Sequence, residues 1–140
     1  MLTDITVIQA KRYGVFSCSE DTSLGDATET MVREDISGLV VVDDDGFLKG
    51  IITRTDLLRA CKTWSECASR TVREFMSSSV ITVSPQDSLD HVAEVLIGKN
   101  IHRVVIVEQE GDKLRPVGVI SDADLVYHMN KIIRSKKSPA

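Results

Sequence analysis

Residues 50–56, Gly50-Ile51-Ile52-Thr53-Arg54-Thr55-Asp56, and residues 118–124, Gly118-Val119-Ile120-Ser121-Asp122-Ala123-Asp124, are one pattern written twice. In each, a glycine opens an apolar run rich in β-branched residues. The run ends on a hydroxyl residue, and an aspartate follows three places later. The run reads as a strand. A hydroxyl residue with an acid at the third place reads as a helix start. Each string is therefore a strand-to-helix junction, and its recurrence points to an internal repeat.

The repeat extends outward on both sides. At an offset of 65 residues Thr6 and Val7 meet Thr71 and Val72, Ser23-Leu24 meet Ser88-Leu89, Ile36 meets Ile101, and Val40 and Val42 meet Val105 and Val107. After Gly46 and Gly111 the second copy carries three extra residues, and at an offset of 68 Gly50, Ile52, Asp56 and Leu57 meet Gly118, Ile120, Asp124 and Leu125. Each copy then reads alike. Residues 15–18 and 80–83 are short β-rich runs. Ser23, or Asp87-Ser88, offers a helix N-cap. Leu24, Ala27, Met31 and Val32, and Leu89, Val92, Ala93, Leu96 and Ile97, follow at helical spacing. Runs 39–42 and 104–107 are continuously apolar, as in strands buried on both faces. Turns at 43–46 and 108–116 lead to strands 48–53 and 117–121, giving a hairpin. Helices starting near Thr55 and Asp122 close the units.

The unit is β-α-β-β-α, and the fold class is α/β. About 50 residues is near the lower limit for independent folding. The reading is therefore two repeats packed sheet to sheet with pseudo-twofold symmetry and a cleft between them. Residues 1–62 form repeat 1 with its lead-in, 63–76 a linker, 77–133 repeat 2, and 134–140 a basic tail with Arg134, Lys136 and Lys137. Thr71 and Glu74 form a capping box for a short linker helix, and Trp64 packs against the linker.

Composition narrows the function classes. With 42% hydrophobic and 27% charged residues the chain is an ordinary globular one. Its net charge of -4 gives no footprint for nucleic acid, and no apolar run approaches the roughly 20 residues that span a bilayer. Asp4 stands where a secretory leader would be basic or apolar. The three cysteines, Cys18, Cys61 and Cys67, are an odd count and read as free thiols in a reducing cytoplasm. Cys61 and Cys67 do not have the spacing of a CxxC zinc knuckle. No nucleophile stands with a base, and there is no Walker-type phosphate loop, so an enzyme is not expected. His91 reads as surface or packing, and His128 as surface or interface.

Two readings of the twin strings stand side by side. Thr53 with Asp56, and Ser121 with Asp124, are sufficient as helix caps, worth about 0.5–2 kcal/mol each. The same geometry also suits a nucleotide. Unpaired N–H groups at a helix start accept phosphate, and a carboxylate one turn in can accept both hydroxyls of a ribose.

The repeat and its string resemble the CBS domain, named after cystathionine β-synthase, whose tandem pair is a Bateman module. The resemblance covers about residues 6–130. Both copies match Gly-hydrophobic-x-Ser/Thr-x-x-Asp, and Val72-Arg73-Glu74-Phe75-Met76 followed by Val80-Ile81-Thr82-Val83-Ser84-Pro85 is similar to the family's entry into a repeat. Such pairs resemble the γ subunit of AMP-activated protein kinase and the regulatory insert of IMP dehydrogenase. The resemblance implies a regulatory module for an adenine nucleotide (AMP, ADP or ATP) or another adenosyl compound. It implies a homodimer, with the signal passed to a separate regulated protein or through the chain's own oligomer; no catalytic cofactor or metal is expected. Asp56 and Asp124 would hold ribose, and Thr53 and Ser121 phosphate or ribose oxygens. Backbone near Phe16-Ser17 or Ile81-Thr82 would read adenine, with Ile36 and Ile101 as apolar walls. His102 and Arg103 would reach a phosphate. Repeat 1 has Ser37 and Gly38 at those places and Arg54 where repeat 2 has Asp122, which would repel phosphate. The site with His102, Arg103, Ser121 and Asp124 is expected to be the better one. The alternative is a structural or dimerisation module with no nucleotide.

Overall fold

The structure is a computed structural model and describes residues 2–11, 14–63 and 65–137, without the side chains of residues 136 and 137. Trp64 and the side chains of Lys136 and Lys137, singled out above, lie outside the described residues. The helices are α1 (Val7–Ala10), α2 (Leu24–Glu34), α3 (Arg54–Thr63), α4 (Leu89–Lys99) and α5 (Asp122–Lys137), and the strands are β1 (Ser17–Ser19), β2 (Gly38–Val42), β3 (Leu48–Thr53), β4 (Thr82–Val83), β5 (Arg103–Glu110) and β6 (Lys113–Ser121). Short 3-10 turns cover Cys67–Ser69 and Val72–Glu74.

Each repeat builds its sheet the same way. Among the described residues the strands form two three-stranded sheets, ordered β1-β2-β3 and β4-β5-β6. β1 runs parallel to β2, and β4 parallel to β5, with a helix as the crossover in each case. β2 and β3 are antiparallel, with Leu39 opposite Ile52. Leu39, Val40 and Val41, like Val104, Val105 and Ile106, are buried without alternation, as strands covered on both faces require.

The helices start and stop for local reasons. Ser23 and Ser88 accept hydrogen bonds from Asp26 N and His91 N, each at 3.1 Å. α2 and α4 end on Asp35 and Asn100 in left-handed conformation, with φ of 50° and 52°. Short polar side chains tolerate that region. The stripe facing the core is Leu24, Ala27 and Met31 in α2, and Leu89, Val92 and Leu96 in α4. Val32 and Ile97, read above as part of that stripe, are 78% and 81% exposed. Each follows the last buried position by one residue, which turns it about 100° away on a helix of 3.6 residues per turn.

The second hairpin also differs from the expected one. The polar stretch 108–116 is mostly strand, since β5 and β6 run to Glu110 and from Lys113. The turn shrinks to Gly111 and Asp112, with Gly111 at φ 66°. The three extra residues thus lengthen the strands rather than a loop. α5 likewise runs through Arg134 to Lys137, where a tail was expected.

The chain divides into two compact units. One holds Met1–Gly14, Ile81–Glu108 and Val117–Ala140, the other Val15–Val80 and Gln109–Pro116. The lead-in, grouped above with repeat 1, therefore packs with repeat 2. Val7 N donates to Asp87 O at 2.8 Å, Ile8 N to Pro85 O at 2.9 Å, and Leu89 N to Ile5 O at 2.8 Å. Val7, fully buried, belongs to the core of Leu89, Val92, Ile106 and Ile120. The linker does the same for repeat 1. Val72, also fully buried, joins Leu24, Leu39 and Ile52, and Val72 N donates to Thr22 O at 2.9 Å. The Thr71–Glu74 capping box is formed, and Thr6 with Gln9 forms its counterpart.

The reading of three free thiols is corrected. Cys61 and Cys67, six residues apart, form a disulfide, with Cα atoms 5.0 Å apart. α3 ends and the chain turns back there, bringing the two residues within bridging distance, which cysteine count cannot reveal. Cys18 alone is free. Burial pushes its thiol up to about 11, against a weaker lowering by Thr22, so it is protonated at neutral pH and is no nucleophile. Closing so short a loop stabilises by about 2 kcal/mol in the chain-entropy account. Reduction, or replacing both cysteines by serine, is expected to lower the melting temperature by about 5 °C. Unchanged melting on verified reduction would show that the linker is held without the bridge.

Candidate functional site

The two strings fold into one geometry, each within its own unit. Strand β6 delivers Ser121 to the N-cap of α5, and Asp124 stands at its third helical position. Asp124 Oδ2 accepts Ser121 N at 2.8 Å and Ser121 Oγ at 3.2 Å, while Ser121 Oγ accepts Asp124 N at 3.3 Å. Strand β3 and α3 repeat the two bonds onto the carboxylate. Asp56 Oδ2 accepts Thr53 N at 2.8 Å and Thr53 Oγ1 at 3.1 Å. The cap thus uses one oxygen of each carboxylate. The other oxygen meets a cation: Arg59 Nη1 lies 3.5 Å from Asp56 Oδ1, and Lys11 Nζ lies 3.3 Å from both oxygens of Asp124. Sequence reasoning missed both cations. Arg59 was within reach of it, since i and i+3 share a helix face. Lys11 was not, because nothing local says with which repeat the lead-in packs.

The remaining predicted residues distribute as follows. His102, Arg103, Ile101 and Thr82 share a unit with Ser121 and Asp124, whereas Thr53 and Asp56 lie in the other. Ile101 is half-buried against its core, after the left-handed Asn100. Thr82 is half-buried on β4, in register with Val105. The carbonyls of Phe16 and Ile81 are occupied, accepting from Val40 N and Val105 N at 3.2 and 3.1 Å.

The charges of the two junctions are exchanged. In repeat 1, Arg54 Nη2 lies 3.6 Å from Asp35 Oδ1. In repeat 2, His102 Nδ1 lies 3.0 Å from Asp122 Oδ2, and both groups are exposed. The His102 hydrogen bond, with a smaller contribution from Arg103, holds the Asp122 carboxyl below the usual range. Asp122 is therefore ionised at neutral pH but screened by neighbouring bases, which softens the repulsion expected of it. Exposed pairs of this kind are worth about 0–1 kcal/mol and exchange readily for a better anion.

Elsewhere in the same unit a cleft of about 440 Å³ lies between the lead-in and α5, lined by Ile5, Gln9, His128, Lys131, Ile132 and Ser135. None of the sequence-predicted site residues lines it. His128 Nε2 donates to Ala10 O at 3.0 Å, which gives it a packing role, and His91 is exposed. Among the described residues no cluster of His, Cys, Asp and Glu could hold a metal ion, and no helix is long and apolar enough to cross a membrane.

The CBS domain model matches residues 7–63 and 72–131, most of the chain. The chain belongs to the CBS domain family. It is a CBS pair, and the two matched stretches are its CBS repeats. It is 34% identical over 111 residues to an inosine-5'-monophosphate dehydrogenase of Nitrosopumilus maritimus, covering 75% of this chain and 22% of that one. The chain thus spans about a fifth of that relative's length. Solved structures match its fold as well. A CBS-domain-containing protein of Agrobacterium tumefaciens is 27% identical with a TM-score of 0.76, covering 91% of this chain and 97% of that one. The CBS domain pair of protein MJ0100, in complex with 5'-methylthioadenosine and S-adenosyl-L-methionine, is also 27% identical with a TM-score of 0.76, covering 94% and 96%.

Proposed function

We propose that this CBS pair is a regulatory module that binds an adenine nucleotide at its Ser/Thr-x-x-Asp junctions and acts by shifting the population of its conformations. The observation that carries the reading is the divided use of the carboxylates. Capping consumes Oδ2 of Asp56 and Asp124, leaving Oδ1 to a displaceable cation. A cap alone has no use for that second oxygen, whereas a ribose diol does. The MJ0100 pair, which binds two adenosyl compounds, supports the ligand class. His102 and Arg103, with no basic counterpart in Ser37 and Gly38, favour a phosphorylated ligand at repeat 2, with Ile101 and Thr82 beside it. A ligand acts on such a module through its affinity ratio for two states. The regulated protein is a separate chain or a further part of the same one.

A second reading has its own observation. Both aspartates are hydrogen-bonded by protein groups alone, and large apolar side chains are exposed at repeat-equivalent places: Val32 and Ile97, and Leu58 and Val126 at 71% and 60%. These faces support a homodimer, and a purely structural module would need nothing more.

Melting in the presence of AMP, ADP, ATP or S-adenosylmethionine separates the two. A ligand at 100 times its dissociation constant adds about 2.7 kcal/mol, a rise of several degrees. A rise with one of them is expected. No rise with any, at millimolar concentration, would leave the structural module as the function.

A further inference from the structure

We infer that Lys11 makes the second-repeat site select phosphorylated over unphosphorylated adenosyl ligands, an inference that rests on the ligand-site reading above. Lys11 Nζ sits 3.3 Å from both carboxylate oxygens of Asp124, on the group that would take ribose hydroxyls. Both side chains are partly shielded, 35% and 28% exposed, so the pair is less screened than one in open solvent. The backbone that carries Lys11 is pinned. Lys11 N donates to Val7 O at 2.9 Å, Ala10 O accepts from His128 at 3.0 Å, and Gly14 N donates to Val117 O at 2.8 Å. The segment is therefore held against α5 and β6, while four side-chain bonds let the ammonium reach Asp124.

The repeat supplies an internal control. Met76 stands 65 residues on, and its N donates to Val72 O at 2.9 Å as Lys11 N does to Val7 O. Repeat 1 thus has a neutral residue at the equivalent backbone position, its sulfur against Gly50, and the cation on Asp56 is Arg59 of the same helix, at one oxygen only and 74% exposed. Among the described residues, Asp124 and not Asp56 has both oxygens spanned by a cation from a distant segment.

The local charge gives the contact its consequence. The first turn of α5 carries two carboxylates, Asp122 and Asp124, with Arg103 and the His102 ring beside Asp122. Lys11 brings that turn to balance. Ribose hydroxyls that take Asp124 release the ammonium. A phosphate on the same ligand pairs it again, whereas adenosine leaves it without an anion.

Calorimetric titration with AMP and with adenosine tests this in the Asp56→Ala chain, where the second-repeat site stands alone. Lys11→Met is expected to lower the ratio of AMP to adenosine affinity by at least about ten-fold, the scale of a charge-assisted hydrogen bond. Lys11→Arg is expected to keep it within about three-fold, because the charge is retained. Methionine already occupies the equivalent position in repeat 1, so the fold is expected to hold, and melting checks it. An unchanged ratio in Lys11→Met, or an equal loss in Lys11→Arg, overturns the inference while leaving the nucleotide site in place. Failure of the unmutated chain to bind either compound overturns the nucleotide reading and this inference with it.

Discussion

Replacing Gly50 with valine is expected to lower the melting temperature by roughly 6–12 °C, the largest stability effect of any single change considered for this chain. A Cβ at Gly50 would stand 2.6 Å from Ser77 O and 3.0 Å from Met76 Sδ. The first of these is backbone, and it cannot swing aside. That carbonyl also accepts Ile51 N at 2.9 Å, while Ser77 N donates to Ile51 O at 2.9 Å. The substitution therefore presses on the two bonds that tie Ser77, just past the linker, to β3. Overpacking costs about 1–3 kcal/mol, and each lost hydrogen bond adds about 1 kcal/mol. Gly98→Ala is the control. Its Cβ would meet nothing within 4 Å in α4, and the gain in helix propensity predicts stabilisation of about 0.5–1 kcal/mol. Equal effects of the two substitutions would show that the close approach at Gly50 carries no energy. Gly50 also lies inside β3 rather than opening it, and the proximity of Ser77 explains why the motif needs glycine there.

Asp124→Ala is expected to weaken nucleotide binding about 100-fold, equivalent to roughly 3 kcal/mol from two charge-assisted hydrogen bonds to a ribose diol. It also removes the cap on α5 at a cost of about 1 kcal/mol, so lost binding alone could reflect a frayed helix. Asp124→Asn separates the causes. Its amide oxygen can still accept from Ser121 N while the charge is gone, so the fold is expected to hold and binding to fall. Asp56→Ala, measured by the same titration, is expected to leave the tighter binding event in place, since Arg103 and His102 belong to the other unit. Equal losses from Asp56→Ala and Asp124→Ala would overturn the ranking of the two sites.

The legible part of the fold was the part encoded locally. β3 spans residues 48–53 as its apolar composition and the following Thr53 predict, and the caps at Ser23, Ser88 and Thr71 form as read. Local spacing misled where the face mattered. Val32 and Ile97 match the helical stripe, yet one residue of rotation carries them to solvent. It misled again at residues 108–116, where polar composition suggested a turn but pairing between β5 and β6 extends the ladder. At the candidate site both carboxylates and both hydroxyls were legible, because the helix start itself requires them. Their cations were not.

Local pattern along the chain specifies the duplication, the β-α-β-β-α order and the paired strand-to-helix junctions. All three follow from side-chain periodicity and capping, interactions that reach only a few residues along the chain. The tertiary structure alone decided that the lead-in completes repeat 2, that the linker completes repeat 1, that Cys61 meets Cys67, and that Lys11 lies on Asp124 across 113 residues of chain. These contacts depend on where a segment finds an apolar groove and matching backbone donors. Burial of Val7 and Val72 settles that, and no short-range pattern records which core receives them.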